Sequence, residues 1–145
     1  VYKRPGTPDE FPWHQDNGYT FIEPQAYLTC WVALTDTDET NGCPCVLPGL
    51  HRHGTLHHDT TDLGHEIELD STDSLSIPLK AGSIAIFSSL TPHRTGPNLS
   101  DKVRKSYILQ YAPEGARRLI SHTLTEEVND ESRQFLILKD GLAVD

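Results

Sequence analysis

Tyr27-Leu28-Thr29-Cys30-Trp31-Val32-Ala33-Leu34 is the stretch on which the fold class turns. It is rich in β-branched and aromatic residues and gives way to the polar residues 35–42, where Asn41-Gly42 is a strong turn dipeptide. The same grammar repeats along the chain. Cys45-Val46-Leu47 reads as a short strand stopped by Pro48-Gly49, and in residues 75–79 Leu75, Ile77 and Leu79 alternate onto one face. Residues 83–88 are almost continuously apolar, which predicts a strand covered on both sides. Residues 104–111 predict a long strand with Arg104, Ser106, Ile108 and Gln110 on one face. Residues 50–74 read as one long polar loop, residues 125–133 as a short helical piece, and residues 134–138 as a return to strand. Many short strands separated by turn signals, with almost no 3.6-residue period, predict an all-β sandwich, barrel or jelly roll.

Composition narrows the function classes. The chain has 145 residues, with 12 Lys+Arg against 21 Asp+Glu, a formal net charge of −9. That length suits one core and one domain. The basic residues are scattered, so nothing neutralises a phosphate backbone and nucleic acid is not expected as a partner. No apolar run approaches the roughly 20 residues that span a bilayer, so no membrane association is expected. An odd count of three cysteines, Cys30, Cys43 and Cys45, suits a reducing, cytoplasmic compartment. The chain starts at Val1 and contains no methionine, so an N-terminal portion is expected to be absent.

Histidine is abundant: there are eight, and His51, His53, His57, His58 and His65 crowd the polar loop. A His-rich tract can bind metal, yet solvated imidazoles, or one bonding locally, account better for a loop of this polarity. The stronger arrangement lies elsewhere. In an extended segment the side chains of His14 and Asp16 point to the same side. One more imidazole from a distant strand would complete two histidines and a carboxylate, the set suited to non-haem Fe(II). His93, which follows residues 83–88 through a turn-like Ser89-Leu90-Thr91-Pro92, is placed to supply it. Arg104 adds a guanidinium on the inward face of its strand, a natural clamp for a carboxylate.

The ordered set Pro12-Trp13-His14-Gln15-Asp16, Trp31-Val32-Ala33-Leu34, Asn41-Gly42-Cys43, Leu47-Pro48-Gly49-Leu50-His51, Lys80-Ala81-Gly82-Ser83, Phe87, His93, Pro97-Asn98-Leu99-Ser100 and Arg104 closely resembles the phytanoyl-CoA dioxygenase family. The resemblance runs from about Pro12 to Pro113 and, more loosely, through Arg133-Gln134-Phe135. It implies a double-stranded β-helix, a cupin-like jelly roll with few helices, and an Fe(II)- and 2-oxoglutarate-dependent dioxygenase that uses O₂ to hydroxylate a small organic molecule. It implies His14, Asp16 and His93 as iron ligands, and Arg104 with Thr95 as the grip on the distal carboxylate of 2-oxoglutarate. Trp31 is implied as an aromatic wall of the cofactor pocket, a role compatible with core packing. The carboxylate of Asp16 favours hydroxylation over halogenation, since related halogenases carry a small residue there. Tyr19 and Phe21 alternate towards one face and are candidates to line substrate or to pack.

Leu50 stands where the family often has a small hydroxyl residue. Family members also carry a substantial region before the His-x-Asp strand, whereas 13 residues precede His14 here. The expectation is an N-terminally truncated member forming one catalytic domain over residues 1–145, with its β-helix core at about 10–113 and an extension at 114–145. Two other readings remain open: a non-catalytic metal- or ligand-binding β-helix protein, and a cupin-type metalloenzyme that does not use 2-oxoglutarate.

Overall fold

Alternation along the deciding stretch puts Thr29, Trp31 and Ala33 on one face, and all three are buried in the computed structural model, which describes residues 1–25 and 27–144. The strands in chain order are β1 (Tyr2–Lys3), β2 (Phe11–His14), β3 (Ile22–Glu23), β4 (Leu28–Ala33), β5 (Pro44–Val46), β6 (Asp59–Thr61), β7 (Gly64–Glu66), β8 (Leu75–Ser76), β9 (Ile84–Ser88), β10 (His93–Thr95), β11 (Arg104–Tyr111), β12 (Arg117–Leu119), β13 (Thr125–Glu127), β14 (Leu138–Lys139) and β15 (Leu142–Ala143). Helix is confined, among the described residues, to the single turn α1 (Asp16–Tyr19) and a 3₁₀ turn at Leu50–His53.

Two four-stranded antiparallel sheets form the core, one ordered β1-β11-β4-β9 and the other β2-β10-β5-β8. Neighbours in each sheet are distant in sequence, which is how a jelly roll brings early and late residues together. The all-β, cupin-like expectation holds. A third sheet, β13-β12-β3, folds the extension back so that Ala116 and Val128 pack on Ile22 and Tyr27.

Four local expectations are corrected. Residues 83–88 are not covered on both sides, because β9 is an edge strand and exposes Ile84 and Ile86 at 51% and 63%. Every residue of Ile84-Ala85-Ile86-Phe87 is apolar, so the sequence hides the alternation between inner and outer faces. Residues 50–74 are not one open loop, since they contain the β6–β7 hairpin. Residues 125–133 are not helical: Thr125–Glu127 pairs with β12, and Asp130 then takes the Ser132 amide at 3.0 Å and the Arg133 Nε at 2.7 Å. Such local bonds give the backbone an alternative to helix. Of residues 134–138 only Leu138 is in a strand.

Candidate metal centre and anion clamp

β2 and β10 lie side by side with His14 directly opposite His93, and the two imidazole centres are 4.1 Å apart. Each ring is oriented from within its own strand. Nδ1–H of His14 donates to the Pro12 carbonyl at 2.8 Å, and Nδ1–H of His93 donates to the Thr91 carbonyl at 3.0 Å. A carbonyl can only accept, so this pairing places the proton on Nδ1 and leaves both Nε2 lone pairs free. Burial pushes His14 down to about 4, with the facing His93 adding to it, and burial likewise lowers His93. Both rings are therefore neutral near pH 7, the form that binds metal.

Asp16 reaches the same point across a single extended residue. The extended run ends at Gln15 (φ −109°, ψ 141°), and Asp16 opens α1. Its Oδ1 lies 3.8 Å from Nε2 of His14 and 3.8 Å from Nε2 of His93, and its Oδ2 accepts from the Thr29 hydroxyl. These separations are not ion pairs, because neither ring is charged. Three electron-pair donors converge within 4.8 Å, and no hydrogen-bond donor among the described residues is bonded to Oδ1 or to either Nε2. Mutual repulsion of such groups is relieved by a cation between them, so the donor set fits a divalent metal that takes imidazole and carboxylate.

The neutral rings have a consequence for stability in the metal-free chain. The folded state holds His14 at about 4 against an unfolded value of 6.5, so the unfolded chain binds more protons between those limits. Stability is fully present above 6.5 and is lost as pH falls towards 4. Thermal unfolding of the metal-free chain is expected to give a Tm that is flat above this window and falls steadily within it. A Tm that did not change across the window would contradict the buried neutral rings.

On the facing sheet, Arg104 is fully buried at the start of β11. Burial lowers it to about 10, which leaves it charged at neutral pH. One terminal nitrogen donates to the Ser106 hydroxyl at 3.0 Å, and the guanidinium sits 5.3 Å from the centre of the Trp31 ring. Its Nε and other terminal nitrogen have no partner among the described residues. The hydrogen bond contributes at most about 1.5–3 kcal/mol and the cation–π contact about 2 kcal/mol. Desolvating a lone ion costs several kcal/mol, and two buried donors left unmade add about 1–3 kcal/mol each. The local contacts do not offset that cost, whereas an anionic ligand with two acceptor oxygens does. Lys3, half-buried in β1, donates to the backbone carbonyls of Asp9 at 3.1 Å and Thr95 at 3.2 Å and also to Gly96. Burial, and then the charge of Arg104, lower it to about 8.

A cavity of 820 Å³ joins the two arrangements and is lined by all six residues singled out in the sequence: His14, Asp16, His93, Arg104, Thr95 and Trp31. Its size suits a small organic ligand. Phe11 and Tyr19 add an aromatic wall, their rings stacked 5.9 Å apart and each packed edge-on to His14. Tyr19 thus lines the cavity, but Phe21 is not among the lining residues, because the turn of α1 breaks the alternation that would have put them on one face. The loop histidines form no second metal-binding group among the described residues. The sequence reading missed Thr29 and Lys3; Thr29 was within reach, being two residues before Trp31 on the same strand face.

Residues 1–106 match the family model described as phytanoyl-CoA dioxygenase (PhyH). The chain belongs to the phytanoyl-CoA dioxygenase family. Among curated members and relatives, it is similar to a phytanoyl-CoA dioxygenase of Arabidopsis thaliana, 34% identical over 115 residues covering 75% of this chain and 41% of that protein. It is also similar to a methylphosphonate hydroxylase of Gimesia maris, 33% identical over 111 residues covering 76% of this chain and 42% of that protein. The chain thus spans less than half the length of these relatives. Among solved structures, EvdO2 from Micromonospora carbonacea var. aurantiaca, crystallised with 2-oxoglutarate, superposes with a TM-score of 0.70 at 28% identity, over 90% of this chain and 52% of that one. The non-heme monooxygenase ThoJ superposes with a TM-score of 0.74 at 26% identity, over 90% of this chain and 50% of that one.

Proposed function

We propose that this member of the phytanoyl-CoA dioxygenase family is the core of an Fe(II)- and 2-oxoglutarate-dependent dioxygenase that hydroxylates a small organic substrate. The observation that carries the reading is one cavity holding both the His14, Asp16 and His93 donors and the buried, half-unpaired guanidinium of Arg104. When bound, iron with 2-oxoglutarate and O₂ supplies oxidative decarboxylation to succinate and CO₂, together with the oxidising power that hydroxylates a C–H bond.

The chain's own residues have distinct parts in this. His14, Asp16 and His93 would hold the metal through two imidazoles and a carboxylate, in the same cavity that holds Arg104. The Thr29 hydroxyl fixes one carboxylate oxygen of Asp16 and so leaves the other for the metal. Arg104, helped by Thr95, takes the distal carboxylate, and Trp31 covers the guanidinium and keeps water from it. Phe11 and Tyr19 give the substrate an apolar surface next to the metal. The unpaired donors of Arg104 favour this reading over a cupin-type enzyme without 2-oxoglutarate, which would have no use for them. Nor does any of the six positions show the loss expected of a non-catalytic relative.

In this reading residues 1–145 act as one catalytic domain in a reducing, cytoplasmic setting, where the free Cys30, Cys43 and Cys45 stay as thiols. No helix among the described residues is long and apolar enough to cross a membrane.

The test is succinate formation from 2-oxoglutarate with and without Fe(II), run alongside a mass-spectrometric screen of small metabolites for the gain of one oxygen atom. The expected result is Fe(II)-dependent succinate matched by an oxygenated product. Failure of the metal-loaded chain to bind 2-oxoglutarate, with no succinate from any candidate, would overturn the reading.

A further inference from the structure

His14 and Asp16 are joined through a single residue, and that residue is tied down on every side. Gln15 is fully buried. Its Oε1 accepts from the Leu56 amide at 2.7 Å, and its Nε2 donates to the carbonyls of Gly54 at 2.9 Å and Leu90 at 2.6 Å. Its own backbone N–H, which as the N-cap amide of α1 has no acceptor within the helix, donates to Nε2 of His58 at 3.0 Å. His58 in turn donates Nδ1–H to the Leu56 carbonyl at 2.9 Å, so its Nε2 is the acceptor. The ring lies flush on Gly18, where a Cβ would come within 2.2 Å of Cε1 and Nε2. A second tie runs beside the first, from the Asn17 side-chain amide to the Thr55 hydroxyl at 2.7 Å.

We infer that His58 is a positioning residue for the metal centre: through the backbone of Gln15 it sets where the His14 and Asp16 donors stand. The inference rests on the metal reading of His14, Asp16 and His93. Its physical basis is that metal donors must be held to within about 0.5 Å of their working positions by a surrounding shell, and that the peptide linking the two donors is fixed in the structure by residues 54–58. Within the His-rich loop this gives one imidazole a specific task, while His53 and His57 remain exposed to solvent.

Co(II) serves as the probe, because its visible absorption reports ligand geometry independently of turnover. The comparison is between the unsubstituted chain, His58→Phe, His58→Gln and Gly18→Ala. His58→Phe keeps a ring against Gly18 but removes the acceptor; it is expected to weaken Co(II) binding about tenfold and to alter the absorption band. His58→Gln restores an acceptor for the Gln15 amide and is expected to recover most of that loss. Gly18→Ala is the decisive variant. Its Cβ would meet the His58 ring at 2.2 Å, so the ring must shift, and a role in folding alone lowers Tm while leaving the metal affinity of the folded chain unchanged. Displacement of the imidazole instead predicts weakened Co(II) binding with the metal-free chain still folded. Parent affinity and parent spectrum in both His58→Phe and Gly18→Ala would overturn the inference. An unsubstituted chain that bound no Co(II) would overturn the metal reading itself, and this inference with it.

Discussion

Arg104→Met is expected to make the ligand-free chain more stable and its binding of 2-oxoglutarate on the order of 100-fold weaker or worse. The two effects have opposite signs because they come from the same two nitrogens. Without a ligand, Nε and one terminal nitrogen of a fully buried cation have no partner among the described residues, and the Ser106 and Trp31 contacts do not make up the loss. A methionine of similar length carries no charge and adapts its shape to the space, so a gain of about 1–4 kcal/mol in stability is expected. With 2-oxoglutarate, the variant has no fork to offer the distal carboxylate, and losing one side of a desolvated charge pair costs about 2–5 kcal/mol. Thermal unfolding of both proteins with and without 2-oxoglutarate reads the two effects at once. A destabilised ligand-free variant, or one that kept its affinity for 2-oxoglutarate, would remove Arg104 from the role given to it.

The second large effect is expected of His93→Ala. Partners that merely orient a metal ligand change affinity by roughly 10–100-fold when removed. Loss of a ligand that faces His14 across the β2–β10 ladder should exceed that, and Fe(II)-dependent succinate formation should fall below detection. Isothermal titration with Co(II) or Fe(II) under anaerobic conditions is the check. Undiminished metal affinity in His93→Ala would show that the ion binds elsewhere. The metal-free variant gives a control, since burial holds His93 as well as His14 neutral, and without His93 the Tm should depend less on pH below 6.5.

Several features were legible in the residues because a single period or boundary carried them. Arg104–Tyr111 is a strand with the bounds that its polar and apolar alternation predicts, and Arg104 lies on its inner face as expected. His14 and Asp16 were legible as a pair because Gln15 is extended, although the chain turns helical immediately afterwards. His93 was legible through the family pattern, whereas its direct registry with His14 is a property of the ladder that no local spacing contains. Ile84 and Ile86 were misjudged because an apolar residue on an outer face is indistinguishable, in sequence, from one on an inner face. His58 was hidden for another reason. Its partner is a main-chain amide 43 positions away, and any residue but proline supplies such an amide.

The pairing of His14 with His93 also makes a bound metal a cross-link between the beginning and the later part of the core. The loop it closes contains β4, β5 and β9, and the entropy removed by closing a loop rises only with the logarithm of its length. The unfolded chain must first close that loop to hold the ion, so the ion binds the folded chain in preference. Binding to the folded state also adds stability in proportion to RT ln(1 + [metal]/Kd). Resistance to unfolding is then set partly by the metal supply around the protein, so that on the proposed reading a chain short of metal is also more exposed to proteolysis.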